Sequence, residues 1–217
     1  ISDNLPKYLG INSLDIQVLT PMRKYEVGVE NMNQKLQELL NPPSKEKPEK
    51  DKNDLIFRQG DKVMQIKNNY KKEWKIYAVS EEHAKLKGSY LLDEGVGVFN
   101  GDVGIITKVS DFDEEITILF DDGREAVYSY NELDEIEHAF ATTIHKSQGS
   151  EYPAVIIPLL TGTRKLLNRN LLYTGVTRAK KCVTILGSSK MLEEMIANQS
   201  EKTRYTGLQE RIRELGV

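Results

Sequence analysis

The chain has 217 residues, 39% of them hydrophobic and 29% charged, with a formal net charge of −3. This composition indicates a globular protein with one large domain, or with a medium-sized domain that carries a smaller inserted one. The acidic net charge excludes a generally basic nucleic-acid-binding protein, so any contact with nucleic acid must depend on local patches. No apolar run approaches the roughly 18 residues of a transmembrane helix, so we expect a cytoplasmic protein without a membrane contact.

The first elements that the sequence predicts are a strand and the helix that follows it. β-branched residues at positions 15–20 predict a strand that Pro21 ends. Apolar residues then recur along one helical face, and Asn41-Pro42-Pro43 ends the helix. These apolar residues are Val29, Met32, Leu36, Leu39 and Leu40. A strand, a loop and a helix are half of a βαβ unit, which favours an α/β fold.

Residues 44–54 are charged and contain no large apolar side chain. Such a segment buries too little surface to offset its ordering entropy, so we expect a mobile charged loop.

A β-rich unit is expected at residues 61–135, inserted between two parts of the α/β domain. Strand-like runs at 103–109 and 116–120 are followed by Asp121-Asp122-Gly123, which indicates a hairpin. Short strands joined by tight turns favour a small SH3-like barrel at about residues 95–130. Tyr128 and Tyr130 share one strand face, where we expect them to pack in the core rather than stack on bases.

Two polar segments near the C-terminal end each precede an apolar run. Residues 141–153 read ATTIHKSQGSEYP and lead into the apolar run 154–160. Residues 171–180 read LLYTGVTRAK and lead into the run 182–187. A polar segment beside a buried strand is how an open α/β sheet presents chemistry at its edge.

The order TxHxxxGxE, then LYTGVTRA, resembles motifs V and VI of superfamily 1 helicases. HKSQGSEYP and VFNGDVG narrow the resemblance to RecD-like DNA helicases, the family of the exodeoxyribonuclease V α subunit. The resemblance implies a second RecA-like motor domain of the P-loop NTPase type at residues 1–60 and 136–217, with an inserted SH3-like barrel. It further implies ATP-dependent 5′-to-3′ movement on single-stranded DNA in repair or recombination.

The same resemblance implies roles in nucleotide binding. Arg178 would meet the γ-phosphate of ATP as an arginine finger, because a planar guanidinium can bind two phosphate oxygens at once. Arg23 falls where motif IV lies and is either a second phosphate contact or a solvated arginine. Glu151 would accept a hydrogen bond from the ribose. Gly149 would let the backbone approach the nucleotide, and Gln148 could reach it from the same loop.

Thr143 and His145 match the DNA-backbone contacts of motif V. A hydroxyl and an imidazole can bond phosphate oxygens without reading base sequence. We do not expect His145 to bind a metal, because His83 and His138 show no ligand spacing and the chain has one cysteine.

The sequence G-x-x-x-x-G-K-[ST] does not occur in the chain, and its first residue is Ile1 rather than methionine. We therefore expect the second half of a longer motor. An N-terminal motor domain would supply the phosphate loop and most contacts to Mg²⁺, so this half alone would not hydrolyse ATP.

The expected partners are single-stranded DNA, the N-terminal motor domain and, as a further option, other exonuclease V-type subunits. Two alternatives stay open at this stage. One is a superfamily 1 RNA helicase, and the other is a catalytically silent nucleic-acid-binding or scaffold domain.

Overall fold

The computed structural model describes residues 1–79, 89–160, 167–199 and 207–215. The remaining positions of the predicted motor domain and of the predicted insertion lie outside these ranges. The helices are α1 (Asn4–Leu9), α2 (Val29–Leu40), α3 (Arg169–Val176), α4 (Ser189–Ala197) and α5 (Leu208–Glu214). None of the helices in these ranges is long and apolar enough to cross a membrane.

The strands are divided between a four-stranded sheet, a seven-stranded sheet and a two-stranded hairpin. They are β1 (Ile16–Thr20), β2 (Glu49–Lys52), β3 (Leu55–Arg58), β4 (Lys62–Gln65), β5 (Asn69–Val79), β6 (Ser89–Val98), β7 (Val103–Ser110), β8 (Glu115–Phe120), β9 (Glu125–Ser129), β10 (Ile136–His138), β11 (Ala141–Thr143), β12 (Tyr152–Leu159) and β13 (Ala179–Gly187).

The four-stranded sheet is parallel, with the order β11-β1-β12-β13, and it is covered on both faces. Leu36 of α2 packs on one face with Ile16 and Val18 of β1. Leu171 of α3 and Met195 of α4 pack on the other face. All five residues of β1 are buried, as expected for a central parallel strand. The predicted α/β class, with its strand at 15–20 and its helix ended by Asn-Pro-Pro, is confirmed.

The seven-stranded sheet is antiparallel, with the order β10-β4-β7-β8-β9-β5-β6, and it forms the predicted β-rich unit. The Asp-Gly turn joins β8 to β9, and Gly123 takes a φ of 88° that favours glycine. Tyr128 is fully buried and its hydroxyl donates to Oε1 of Gln65 at 2.9 Å. Tyr130 is also buried, so both tyrosines pack in the core rather than offering a surface for bases.

The loop expected at residues 44–54 is partly a strand, which corrects the prediction. β2 pairs with β3 as an antiparallel hairpin in which Glu49 is opposite Arg58, and their side chains lie 2.7 Å apart. Backbone pairing needs no apolar side chain, so composition gave no signal for it. Phe57 of β3 is buried in the barrel core, and the β-rich unit therefore begins before residue 61.

The second boundary of the insertion also differs from the prediction. β10 pairs with β4 in the seven-stranded sheet, and Ile136 is buried in the barrel core. Residues 136–138 thus belong to the barrel, and the chain returns to the motor sheet at β11.

A buried carboxylate fixes the barrel to α2. Asp61 is fully buried and accepts hydrogen bonds from Nε2 of Gln37 at 2.6 Å, Nδ2 of Asn41 at 2.7 Å and the backbone N–H of Arg58 at 2.7 Å. Nε2 of His138 lies 3.2 Å from the same carboxylate. Because these donors come from α2, β3 and β10, the network joins the two units at their connection.

Candidate nucleotide and nucleic-acid sites

The predicted site residues lie at two opposite ends of the parallel sheet. Thr20 pairs with Thr143 at the carboxyl ends of β1 and β11. Tyr152 pairs with Ala179 at the amino ends of β12 and β13. The register between β1 and β12 leaves about six strand residues, or about 20 Å, between these ends. The first motif therefore crosses the sheet from one end to the other.

Arg178 lies at the amino end, just after α3, and its guanidinium is held by neutral oxygens. Nε donates to the carbonyl of Thr174 at 3.2 Å, Nη1 to the carbonyl of Ser150 at 3.1 Å and Nη2 to Oγ1 of Thr177 at 3.2 Å. No carboxylate among the described residues pairs with it. The positive charge is therefore positioned without being neutralised, which fits the binding of an anion such as a terminal phosphate.

Glu151 lies beside this arginine on an exposed turn. Its Oε2 is 3.3 Å from Nζ of Lys180, and both side chains are about 60% exposed. Gly149 has a φ of 91°, and a Cβ built there would meet nothing within 4 Å. The left-handed conformation requires this glycine, rather than the close backbone approach expected from sequence. Gln148 is exposed on the same turn.

The first motif is shaped by short turns. The backbone N–H of Lys146 donates to Oγ1 of Thr143 at 3.1 Å, and Oγ of Ser147 donates to the carbonyl of Ile144 at 2.8 Å. Thr143 keeps its hydroxyl hydrogen for another acceptor, and His145 is exposed two residues further on. Ser147 is fully buried and orders the turn, a role that sequence reasoning missed.

The structure places Arg23 at the opposite end of the sheet from Arg178. Two arginines that bind the same γ-phosphate would have to lie close together. Arg23 follows β1 and lies at the carboxyl end, where its Nη2 donates to Oε1 of Glu137 at 2.8 Å. Oε2 of Glu137 is 3.7 Å from Nζ of Lys146. The hydrogen bond from Arg23 to Glu137 holds the pKa of this guanidinium above its usual value. Sequence reasoning missed both Glu137 and Lys146.

A narrow pit lies among these residues. Its volume is about 10 Å³, and its lining includes Arg23, Glu137, Thr142, Thr143 and Lys146. The hydroxyl of Thr142 is buried there and has no hydrogen-bond partner in the described part of the chain.

A larger cleft of about 620 Å³ separates Glu151 from the barrel. Lys62 is buried in its wall and donates to the carbonyl of Leu14 at 2.7 Å and to Oε1 of Gln17 at 3.1 Å. Burial lowers the pKa of Lys62, and Asp121 partly opposes this effect. Burial likewise raises the pKa of the Tyr152 hydroxyl.

Within residues 1–79, 89–160, 167–199 and 207–215, no group of three or more His, Cys, Asp or Glu side chains is arranged to hold a metal ion.

Two family models match the chain. The ATP-dependent RecD-like DNA helicase SH3 domain matches residues 32–120, and the UvrD-like helicase C-terminal domain matches residues 138–186. The first match begins inside α2 and ends with β8, so it includes most of the barrel together with part of the motor domain.

Curated relatives cover most of the chain. The ATP-dependent RecD2 DNA helicase of Deinococcus radiodurans is 33% identical over 198 residues, which are 91% of this chain and 23% of that protein. The RecBCD enzyme subunit RecD of Haemophilus influenzae is 30% identical over 196 residues, 89% of this chain and 24% of that protein. The chain thus spans about a quarter of the length of these relatives.

A solved structure of two coordinating Pif1 helicases at forked double-stranded DNA has a similar fold. The TM-score is 0.50 at 21% identity, and the match covers 94% of this chain and 45% of that one. The order and spacing of the motifs, the fold and the curated relatives agree. The chain therefore belongs to the RecD-like superfamily 1 helicases, and it contains an SH3 domain and a helicase C-terminal domain of that family.

Proposed function

We propose that the chain is the second motor half of an ATP-dependent DNA helicase that moves 5′ to 3′ on single-stranded DNA in repair or recombination. The observation that carries this proposal is the guanidinium of Arg178, which neutral oxygens hold beside the turn of Glu151. One curated relative of this chain is named as a DNA helicase, which supports the same activity here.

At the amino end of the sheet, this chain would complete a nucleotide site. Bound ATP, with Mg²⁺, would supply the phosphoryl group whose transfer drives the motor. Arg178 would bind the terminal phosphate oxygens as their charge increases, which is typically worth ~10³–10⁵ in rate. Glu151 would exchange Lys180 for a ribose hydroxyl, with Gly149 and Gln148 on the same turn.

The other half of that site would come from an N-terminal motor domain outside these 217 residues. No phosphate-loop sequence occurs in this chain, and its curated relatives are about four times longer. We therefore propose that this chain alone does not hydrolyse ATP. We also propose that the complete protein acts in the cytoplasm.

At the carboxyl end, the chain would bind the nucleic-acid backbone. Thr143 and His145 offer a hydroxyl and an exposed imidazole, and Arg23 lies at the same end. The separation of about 20 Å between the ends favours a nucleic-acid contact for Arg23 over the γ-phosphate contact that its sequence position suggested.

The barrel offers a second surface of suitable chemistry. β5 and β9 are opposite each other at a single residue pair, Lys75 and Glu125, and a groove of about 610 Å³ lies between them. Lys71, Trp74 and Tyr77 also line this groove, together with Glu73 and Glu132. The aromatic rings offer faces on which bases can stack, whereas the acids offset the charge of the lysines, so stacking would contribute more here than phosphate contacts.

We also propose assembly with other exonuclease V-type subunits, since the Haemophilus relative is named as a RecBCD subunit. Co-purification of the complete protein from its source with nuclease subunits would support it. Recovery of the helicase alone, with full unwinding activity, would contradict it.

The test of the proposed function is ATP turnover by the complete protein, by residues 1–217 alone and by the Arg178→Ala variant. We expect single-stranded DNA to stimulate the complete protein only, and the variant to be inactive. Equal stimulation by RNA would favour the RNA helicase alternative. No turnover with either strand would favour the scaffold alternative.

A further inference from the structure

Glu137 makes an ion pair with each of two cationic side chains at the carboxyl end of the sheet. Its Oε1 accepts from Nη2 of Arg23 at 2.8 Å, and its Oε2 lies 3.7 Å from Nζ of Lys146. The side chain is 27% exposed, so solvent can reach the group but does not surround it. The carboxylate therefore joins the loop after β1 to the first motif.

The charges around this group are balanced. Arg23 and Lys146 carry two positive charges, and Glu137 carries one negative charge. Oε1 of Glu30 contributes another at 3.9 Å from Nε of Arg23. In this arrangement the two cations offer little net charge to a passing phosphate.

The pit beside Glu137 contains one unused donor. Thr142 is 4% exposed, and its hydroxyl has no hydrogen-bond partner among the described residues. The lining of the pit includes Arg23, Glu137, Thr143 and Lys146. A buried hydroxyl is normally paired, but a pit of about 10 Å³ has room for at most one water molecule, so this hydroxyl does not reach a phosphate at the surface.

Resting on the proposed function, we propose that Glu137 is a gate acid that holds Arg23 and Lys146 until a phosphate of single-stranded DNA replaces it. A phosphodiester has one negative charge and two free oxygens, as a carboxylate does, so it can accept from the same two donors. The exchange preserves the local charge balance.

The position of Glu137 links the gate to the barrel. Glu137 pairs with Met64 across β10 and β4, two strands of the seven-stranded sheet. Because the Asp61 network fixes this part of the barrel to α2, the exchange would move the Glu137 side chain and not the barrel.

The test is binding of a fluorescein-labelled oligothymidine to the complete protein, followed by anisotropy over a range of salt concentrations. Glu137→Gln keeps the shape of the side chain and removes its charge. We expect about two- to five-fold tighter binding, the size typical of a partly exposed ion pair. The salt slope should steepen by about 0.7 for each cation that gains a phosphate.

Asp134→Asn is the matched control. Asp134 is an exposed acid that lies shortly before β10 and pairs with Lys67. Asp134→Asn therefore changes the net charge by as much as Glu137→Gln does, without altering a contact of Arg23. Its binding curve should match that of the wild type. An equal gain in affinity would show that net charge alone is responsible, and would overturn the gate.

Unchanged or weaker binding by Glu137→Gln would also overturn the gate, since weaker binding would mean that Glu137 orients Arg23 for DNA. Arg23→Gln should cost more affinity in the Glu137→Gln background than in the wild type. Additive effects contradict the exchange. Should Glu137→Gln not fold, Glu137→Asp, which keeps the charge on a shorter side chain, carries the test through the same cycle.

The gate and the proposed function can fail separately. If Arg23→Gln and Thr143→Ala leave binding of the wild-type protein unaltered, the nucleic-acid role of this end is wrong. If they weaken binding while the cycle is additive, only the gate is wrong.

Discussion

Arg178 and Ser150 connect the two motifs, because Nη1 of Arg178 donates to the carbonyl oxygen of Ser150 at 3.1 Å. Next to this contact, the backbone N–H of Tyr152 donates to the carbonyl of Arg178 at 2.8 Å. The side chain and the backbone of one arginine thus contact both sides of Glu151. A displacement of either motif would therefore move the guanidinium.

Replacing Arg178 by alanine should lower ATP turnover of the complete protein by about 10³–10⁵. Arg178→Lys should recover little of this loss, because an ammonium cannot make the planar contacts to two oxygens. DNA affinity should change little, since the arginine lies at the opposite end of the sheet from Thr143. Steady-state kinetics measure the first effect and anisotropy the second. Arg211→Ala, on the exposed face of α5, is the control.

Removing the Thr143 hydroxyl and the His145 ring together should weaken binding of single-stranded DNA. The slope of log affinity against log salt should become shallower by about 0.7 for each lost phosphate contact. Thr143→Ser keeps the hydroxyl that accepts from the N–H of Lys146, so it should bind as the wild type does. Titrations at several salt concentrations check both outcomes, and identical slopes in mutant and wild type would refute the assignment.

Asp61→Ala should destabilise the connection between the barrel and α2. Three buried N–H hydrogens would lose their acceptor, at a cost of about 1 kcal/mol each, although Nε2 of Gln37 keeps the carbonyl of Ile56 and Nδ2 of Asn41 keeps that of Gln59. We expect the free energy of unfolding to fall by about 3 kcal/mol, and Tm by about 6 °C or more. Thermal unfolding measures the change. Asp51→Ala, in the exposed part of β2, should leave Tm within about 2 °C of the wild type.

Lys62 should make stability depend on pH. Burial lowers its pKa in the folded protein, so the unfolded chain binds the proton more strongly. The contribution of Lys62 to the free energy of unfolding should therefore rise with pH, between its lowered pKa and its ordinary value of 10.5. Denaturant unfolding of the wild type and of Lys62→Met at several pH values between 7 and 10.5 measures this, with the wild type gaining relative to the variant.

Lys67 provides a comparison of opposite sign. Its hydrogen bond to Asp134 raises its pKa in the folded protein. Its contribution is therefore present below its unfolded pKa and lost as the pH rises through the folded pKa. Lys67→Met should thus lose relative stability at neutral pH and approach the wild type at high pH. Parallel curves for the two lysine variants would contradict both assignments.

Periodicity and turn chemistry were sufficient to predict the central elements. The Asn-Pro-Pro end of α2 and the Asp-Gly turn between β8 and β9 are local signals, and each was confirmed. The apolar spacing of α2 correctly gave Val29 and Leu36 as buried, but Leu39 is exposed. β2 was missed because its backbone pairing with β3 needs no apolar side chain. The boundary at Ile136 was missed because an apolar residue in a short strand does not indicate which of two sheets will bury it.

The candidate site could be predicted only in part from the sequence, for a similar reason. A motif identifies residues along the chain, but the end of the sheet at which each residue lies depends on strand register. Arg23 was a candidate phosphate contact on motif order, whereas the register places it at the end of the sheet about 20 Å from the end at which Arg178 lies. Glu137 gave no signal at all, because a single acid between two buried strand residues is ordinary.

The segment between Thr143 and Tyr152 runs about 20 Å along the sheet in nine steps, about 2 Å per residue, which is well below the rise of an extended chain because its residues form turns. Surface loops usually accept insertions and deletions. This one should not, because one added or deleted residue would break the turns that place Thr143 at one end of the sheet and Glu151 at the other. Among functional variants of this protein, we therefore expect substitutions in the segment but no change in its length.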